Sequence, residues 1–231
     1  MLSIIIPAYN EEKRIKPTLN EYLNFYKKNT EFIVVNDGST DNTEKIVKRF
    51  QKKYKNLKLI NQKNQGKGAA VINGMKYILK NLPNCNLIAF IDADNSIIPK
   101  EFNKLLKYTK NYDVIIASRH CKGAKIDKKE ILLEKITGRG FNLLVKLILG
   151  LKIDDTQCGA KIFKKQVLNK ILKKIKPDKW SFDISLLYHA KKNNFKIKEV
   201  PIFWYSKEGS KLNTKKAIPG FIKTLIKLRF Q

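Results

Sequence analysis

Residues 87–95 read LIAFIDADN: five apolar residues in a row, then two aspartates flanking an alanine. Val114–Ala117 repeats the form before Ser118-Arg119, as do Leu2–Pro7 before Tyr9-Asn10 and Phe32–Val35 before Asn36-Asp37-Gly38-Ser39. Short, continuously apolar runs bounded by polar turn residues are buried strands. Leu57–Ile60 is a further one. Helical spacing fills the intervals, from Glu11 to about Lys28 (Ile15, Leu19, Tyr22, Leu23, Tyr26) and over Ala69–Lys80, with Thr40 or Asp41 placed to cap a helix between them. Strands alternating with helices predict an α/β fold with a mostly parallel sheet covered on both faces. Ligands of such sheets lie beyond the carboxyl ends of the strands. Tyr9, Asn10, Asp37, Asp92, Asp94 and Arg119 stand at those ends and are expected to share one crevice.

Beyond Arg119 the pattern changes. Lys122–Lys129 reads as a polar loop, Phe141–Leu151 as an apolar stretch too short to span a bilayer, and Asp154–Gly159 as a loop. Asp183–Asn193 reads as a helix, Lys196–Trp204 as a strand, and Ala217–Phe230 as an amphipathic segment with Lys223, Lys227 and Arg229 beside its apolar residues. One domain over 1–231 is expected.

The 231 residues carry 48 Lys+Arg against 20 Asp+Glu, a net charge of +28. Such a charge attracts polyanions, either phosphorylated substrates, anionic lipid or nucleic acid. No nucleic-acid-binding motif accompanies it, so a phosphate-rich partner is expected and nucleic acid is not. Two His and three widely spaced Cys exclude a common structural zinc site and argue against a disulfide framework. The N-terminus shows no signal-like segment, and no run is apolar and long enough to cross a membrane. Attachment to a membrane is therefore expected to be peripheral.

An Asp-x-Asp at the end of a buried strand is costly without a cation or donors. Oxygen ligands without His or Cys suit Mg²⁺ or Mn²⁺, ions that also hold substrate phosphates. Gly66-Lys67-Gly68 before a helix brings backbone N–H groups and an ammonium toward an anion. Neither the P-loop spacing nor a GxGxxG is present, against the common NTPase and dinucleotide folds. Asp37 fits either a contact to a nucleobase or ribose or the shaping of an Asx turn.

Taken together, SIIIPAYNEE (3–12), VVNDGSTDNT (34–43), NQGKGAAVINGM (64–75) and FIDADN (90–95) resemble the family-2 glycosyltransferases of the GT-A fold. ASRH (117–120), GRGFNLLVKLILGL (138–151), DTQCGAKIF (155–163), WSFDISLLYHA (180–190) and VPIFWYSKEGSKL (200–212) resemble its polyprenyl-phosphate branch, the dolichyl-phosphate β-glucosyltransferases first and the mannose synthases next. The resemblance implies a Rossmann-like fold with a nucleotide-sugar-binding half (1–119), an acceptor-binding half (120–212) and a tail at the membrane interface (213–231). It also implies inverting transfer of a hexose from a nucleotide-sugar, UDP-glucose before GDP-mannose, onto dolichyl or polyprenyl phosphate. Pro7, Tyr9, Glu11, Asp37, Lys67, Asp92 and Ala93 match donor-binding positions, and Asp92 and Asp94 the Mg²⁺ or Mn²⁺ site. Arg119, Arg139, Ser210 and Lys211 match positions that bind the acceptor phosphate. Asp155 matches a loop aspartate that orients a basic residue or acts as base. A peripheral place on the cytoplasmic face of a membrane, with a membrane-protein partner or a second copy, follows from the same resemblance.

Two features depart from that branch. Ser185 stands where relatives usually carry Glu, and Met1 stands immediately before the first strand, where the glucosyltransferases of the branch commonly carry a membrane anchor. The rival readings are transfer to a sugar or protein hydroxyl and a non-catalytic polyanion-binding protein. The absence of the Q/R-x-x-R-W motif of polymerising relatives counts against the first.

Overall fold

A computed structural model of the chain describes residues 1–127, 132–176, 181–206 and 224–230, with no side-chain description for 132–139 and 141. In chain order the elements are β1 (Leu2–Ala8), α1 (Ile15–Phe25), β2 (Thr30–Asp37), α2 (Thr43–Lys53), β3 (Leu57–Gln62), α3 (Lys67–Asn81), β4 (Leu87–Phe90), α4 (Pro99–Leu106) and β5 (Val114–Ser118). They continue with β6 (Lys125–Ile126), α5 (Leu132–Leu149), β7 (Lys161–Lys164), α6 (Lys165–Ile171), α7 (Phe182–Lys192), β8 (Ile197–Pro201) and β9 (Phe203–Trp204), and 224–229 are helical. The main sheet runs β3-β2-β1-β4-β7-β5-β8. All its pairs are parallel except those of β7, which lies antiparallel between β4 and β5. This is the expected α/β GT-A-like architecture.

Successive side chains of a strand face opposite sides of the sheet. Ile5, Ile33 and Val35 accordingly enter a core with α3, α6, α7 and the end of α5, while Ile4, Ile6, Phe32 and Val34 enter another with α1 and α4. Burial on both faces is why these strands read as unbroken apolar runs.

Three differences from the sequence reading have clear physical causes. α4 begins at Pro99, whose fixed φ suits the first helical turn, and was not expected from the apolar spacing because the helix has only eight residues. β7 was missed because it is four residues long with Lys at each end, yet Lys161 is fully buried. The single strand expected over Lys196–Trp204 is divided at Ile202, so that β9 leaves the main sheet to pair with β6, inside the expected 122–129 loop. The N-cap of α2 is Asn42, and Asp41 assists by accepting from the Thr43 N–H at 2.9 Å. Ala217–Lys223 of the expected amphipathic segment lies outside the described residues, as do Ser210 and Lys211.

Candidate active site

The chain runs from β1 outward to β2 and β3, then returns to β4 on the other side of β1. The strand order therefore reverses between β1 and β4, and the general rule for such sheets puts the ligand crevice at their carboxyl ends. Pro7 is buried in β1, and Tyr9 emerges 40% exposed. Asn10 takes a positive φ of 53° and accepts from the Thr40 N–H at 2.8 Å, while its own N–H donates to Ser39 Oγ at 3.0 Å. The Glu11 N–H donates to Thr43 Oγ1. These bonds lace the loop after β1 to the loop after β2.

Asp37 ends β2 nearly fully buried. Its carboxylate accepts from Gln62 Nε2 at 2.7 Å and from the backbone N–H groups of Gln65 and Gly66 at 2.9 and 2.8 Å. It thus fixes the glycine loop leading into α3. At Gly38, φ is +72° and an added Cβ would meet the Asn64 nitrogen at 2.8 Å, so only glycine lets this loop close on β2. Lys67 follows as the first residue of α3.

The Lys67 ammonium lies 2.5 Å from Asp92 Oδ1 across the crevice. Burial alone would lower its pKa, but the carboxylates of Asp92, Asp183 and Asp94 outweigh that and raise it. Asp94 is shifted the other way for a carboxyl: burial and then the Asp92 charge push it up, against the Ser96 N–H that it accepts at 2.9 Å. Two neighbouring carboxylates that draw in an ammonium form a hard-oxygen pair suited to a small divalent cation. No cluster of three or more His, Cys, Asp or Glu able to hold a metal occurs among the described residues, so further ligands would have to come from elsewhere. The backbone between the two aspartates is fixed by Thr18 of α1, whose hydroxyl donates to the Ala93 carbonyl at 2.7 Å. Glu11 grips Arg14 through two bonds of 2.6 and 2.7 Å, and Arg14 feels Asp94 and Asp92 as well.

Across the sheet, Arg119 follows β5. Its Nε and Nη2 donate to Asp155 at 2.8 and 3.0 Å, and its backbone N–H donates to the same carboxylate at 3.0 Å. The guanidinium also lies over the Trp204 ring, 5.5 Å from the centroid. Asp155 is fully buried; burial would raise its carboxyl, but Arg119, with help from His120, holds it down at about 2. Glu199 of β8 accepts from the N–H groups of Asp154 and Asp155, and Asn142 of α5 bonds the Asp154 carbonyl and the Thr156 hydroxyl at 2.9 Å each. Arg139 stands on α5 three residues before Asn142, and its side chain is outside the description.

One loop joins the two groups. Four residues after Asp155, Gly159 passes so close to Asp92 that an added Cβ would lie 2.0 Å from Oδ2. The loop is held there by Lys161, fully buried at the start of β7, whose ammonium donates to the Cys158 carbonyl at 2.8 Å and to Asp183 of α7 at 2.6 Å. Gly159, Lys161, Asp183 and Trp204 did not stand out in the sequence. The only signals were DTQCGAK and FD as strings, since a buried lysine looks like any other in a chain so rich in them. Ser185 is buried on α7, two residues beyond Asp183. The three cysteines are free thiols.

The fold is the one that glycosyltransferase structures share. The family model "Glycosyl transferase family 2" matches residues 3–172, and the chain belongs to that family. More particularly, it is 33% identical to a dolichyl-phosphate beta-glucosyltransferase of Trichomonas vaginalis, over 98% of this chain and 71% of the relative. A dolichyl-phosphate beta-glucosyltransferase of Dictyostelium discoideum is 32% identical over 100% of this chain and 74% of its own length. Among solved structures, glucosyl-3-phosphoglycerate synthase of Mycobacterium tuberculosis in complex with Mn²⁺, UDP-glucose and phosphoglyceric acid superposes with a TM-score of 0.74 at 17% identity. That superposition covers 99% of this chain and 79% of the other, and shows the shared fold.

Proposed function

We propose that the chain transfers glucose from UDP-glucose to a polyprenyl phosphate, with inversion, at the cytoplasmic face of a membrane to which it attaches peripherally. The observation that carries this reading is the 155–161 segment, which touches the paired aspartates through Gly159 and the Arg119 guanidinium through Asp155. A donor-side and an acceptor-side group thus face one strap. The names of the relatives support the acceptor class and the sugar.

In this reading Pro7, Tyr9, Glu11, Asp37 and Lys67 surround the nucleotide-sugar, Asp37 acting through the glycine loop rather than at its tip. Asp92 and Asp94 would hold Mg²⁺ or Mn²⁺, which when bound supplies charge neutralisation for the diphosphate leaving group. Lys67, released from Asp92, follows the negative charge of the diphosphate. Arg119 meets the acceptor phosphate with a guanidinium whose orientation Asp155 has already fixed, and two parallel N–H donors suit a phosphate. A monophosphate with a second pKa near about 6 is already largely anionic at neutral pH, so its oxygen attacks without a strong general base. Asp155, held at about 2 and bonded to Arg119, takes the orienting role of the two expected for it. Arg139, Ser210 and Lys211 are proposed as further acceptor-phosphate contacts on the strength of the family pattern. A hydroxyl acceptor would need a carboxylate base, and Asp155 is unsuited to that, which places this reading second.

The test is a donor panel (UDP-glucose, GDP-mannose and others) against a short polyprenyl phosphate with Mg²⁺ or Mn²⁺. Formation of a β-linked, acid-labile glycolipid from UDP-glucose, abolished by Asp92→Asn with the fold intact, is expected. Transfer only to a hydroxyl acceptor, or no transfer with any donor, overturns the reading.

A further inference from the structure

α5 is apolar on two sides. Val145 and Leu149 face inward, into the same core that receives Leu225 and Leu228 of the 224–229 helix. Leu143, Leu144 and Leu147, with the exposed Gly140, follow the i, i+3, i+4, i+7 spacing of a second stripe, and these leucines are 56%, 41% and 71% exposed. On the 224–229 helix and just past it, Ile226 and Phe230 are exposed in the same manner. Five of the eight exposed large apolar side chains among the described residues thus belong to two helices that share one core. A surface helix normally turns one apolar stripe inward and a polar face outward. Here the outward side is leucine, and the same two elements expose the cations Lys146, Lys227 and Arg229, with Lys152 exposed just past α5.

The stripe begins beside the acceptor side of the crevice. Asn142, one residue before Leu143, bonds the Asp154 carbonyl and Thr156 on either side of Asp155. Apolar side chains at the centre with lysines around them are the composition of a face that lies in the boundary between lipid headgroups and acyl chains. A second copy of the chain fits less well. A stable interface needs about 800 Å² from each partner, and pairing two such faces would bring like charges together on a chain of net charge +28.

We infer that the outer stripe of α5, Leu143, Leu144 and Leu147, is a docking face for an anionic lipid bilayer, on the helix whose Asn142 bonds the residues on either side of Asp155. The inference deepens the proposed function by saying how the enzyme meets a lipid-borne acceptor. Its test uses neither donor nor acceptor, so either can fail without the other.

Full-length protein is floated with vesicles of phosphatidylcholine containing about 30% phosphatidylglycerol, and with phosphatidylcholine alone. The wild type should rise with the anionic vesicles, and Leu143→Ser/Leu144→Ser/Leu147→Ser should bind at least about tenfold more weakly with an unchanged melting temperature. Leu147→Trp gives an independent reading that stands even if the triple variant does not fold: its emission should move to the blue on adding anionic vesicles. Equal binding by wild type and a folded triple variant overturns the inference in favour of charge alone. So does an absence of wild-type binding, or a shift of the Leu147→Trp emission that follows protein concentration without vesicles and accompanies a dimer in sedimentation velocity.

Discussion

The two sides of the crevice, proposed for donor and acceptor, each hold an aspartate with a cation, and they hold it differently. Asp92 and Lys67 retain 35% and 28% of their side-chain exposure and meet through one point contact, whereas Asp155 is sealed at 1% beneath a two-pronged guanidinium. Lysine is a mobile point charge, and arginine a planar fork whose geometry is set once it is bonded. The first pair can therefore open to admit a ligand between its partners. The second cannot open without stranding a buried carboxylate, so it works as a support. Behind both, Lys161–Asp183 is more enclosed still, and carries the strap that joins them.

The difference is broken most severely at that third pair. Lys161→Met should leave Asp183 buried and unpaired, at a cost of roughly 3–5 kcal/mol, whereas Lys161→Met/Asp183→Leu should regain much of it. Urea unfolding measures both, and a single variant as stable as the wild type would show that the pair supports nothing. Gly159→Ala comes next. Its Cβ must displace Asp92, and a shift of about 1 Å in a reacting group costs on the order of a hundredfold in rate. Transfer activity and Mn²⁺ affinity should fall together while the melting temperature changes little; unchanged Mn²⁺ affinity would separate Gly159 from the aspartates.

Asp155→Asn probes the sealed pair. The KM for the acceptor should rise by about tenfold with that for the donor unchanged, and an equal rise in both would remove the division into two sides. The same variant should alter acid unfolding. Asp155 has a folded pKa depressed to about 2 from an ordinary 3.8, so its contribution is complete above the ordinary value and disappears as pH falls through about 2. The smallest effect is expected at His189, buried on α7 with no hydrogen-bond partner for either ring nitrogen among the described residues. Burial, then Lys174 and Lys192, lower its pKa below 6.5, so the unfolded chain binds the proton first and stability declines as pH falls below that value. His189→Phe should flatten the stability profile between about pH 7 and 5; an unchanged slope would assign the loss to another group.

The strands that end in Tyr9, Asp37, Asp92 and Arg119 were legible because a strand buried on both faces has to be apolar throughout, and the polar residue that ends it stands out. Their convergence followed from the rule that parallel strands share a carboxyl edge. The Asp-x-Asp and the glycine loop were legible for the same reason, as polar or flexible interruptions next to apolar runs. The composition also set the net charge of +28, and with it the expectation of anionic partners.

What the chain order concealed is what long-range pairing creates. β7 enters the sheet against the direction of its neighbours, and only that reversal carries Gly159 to Asp92 and Asp155 to Arg119. The ammonium of Lys161 is buried because Asp183, 22 residues away in sequence, meets it there. A lysine's environment is not written in its own position, since the same residue serves a solvated surface or a sealed ion pair according to what folds over it. Local pattern determines which residues are buried in strands and helices; which charges meet is decided when distant segments pack.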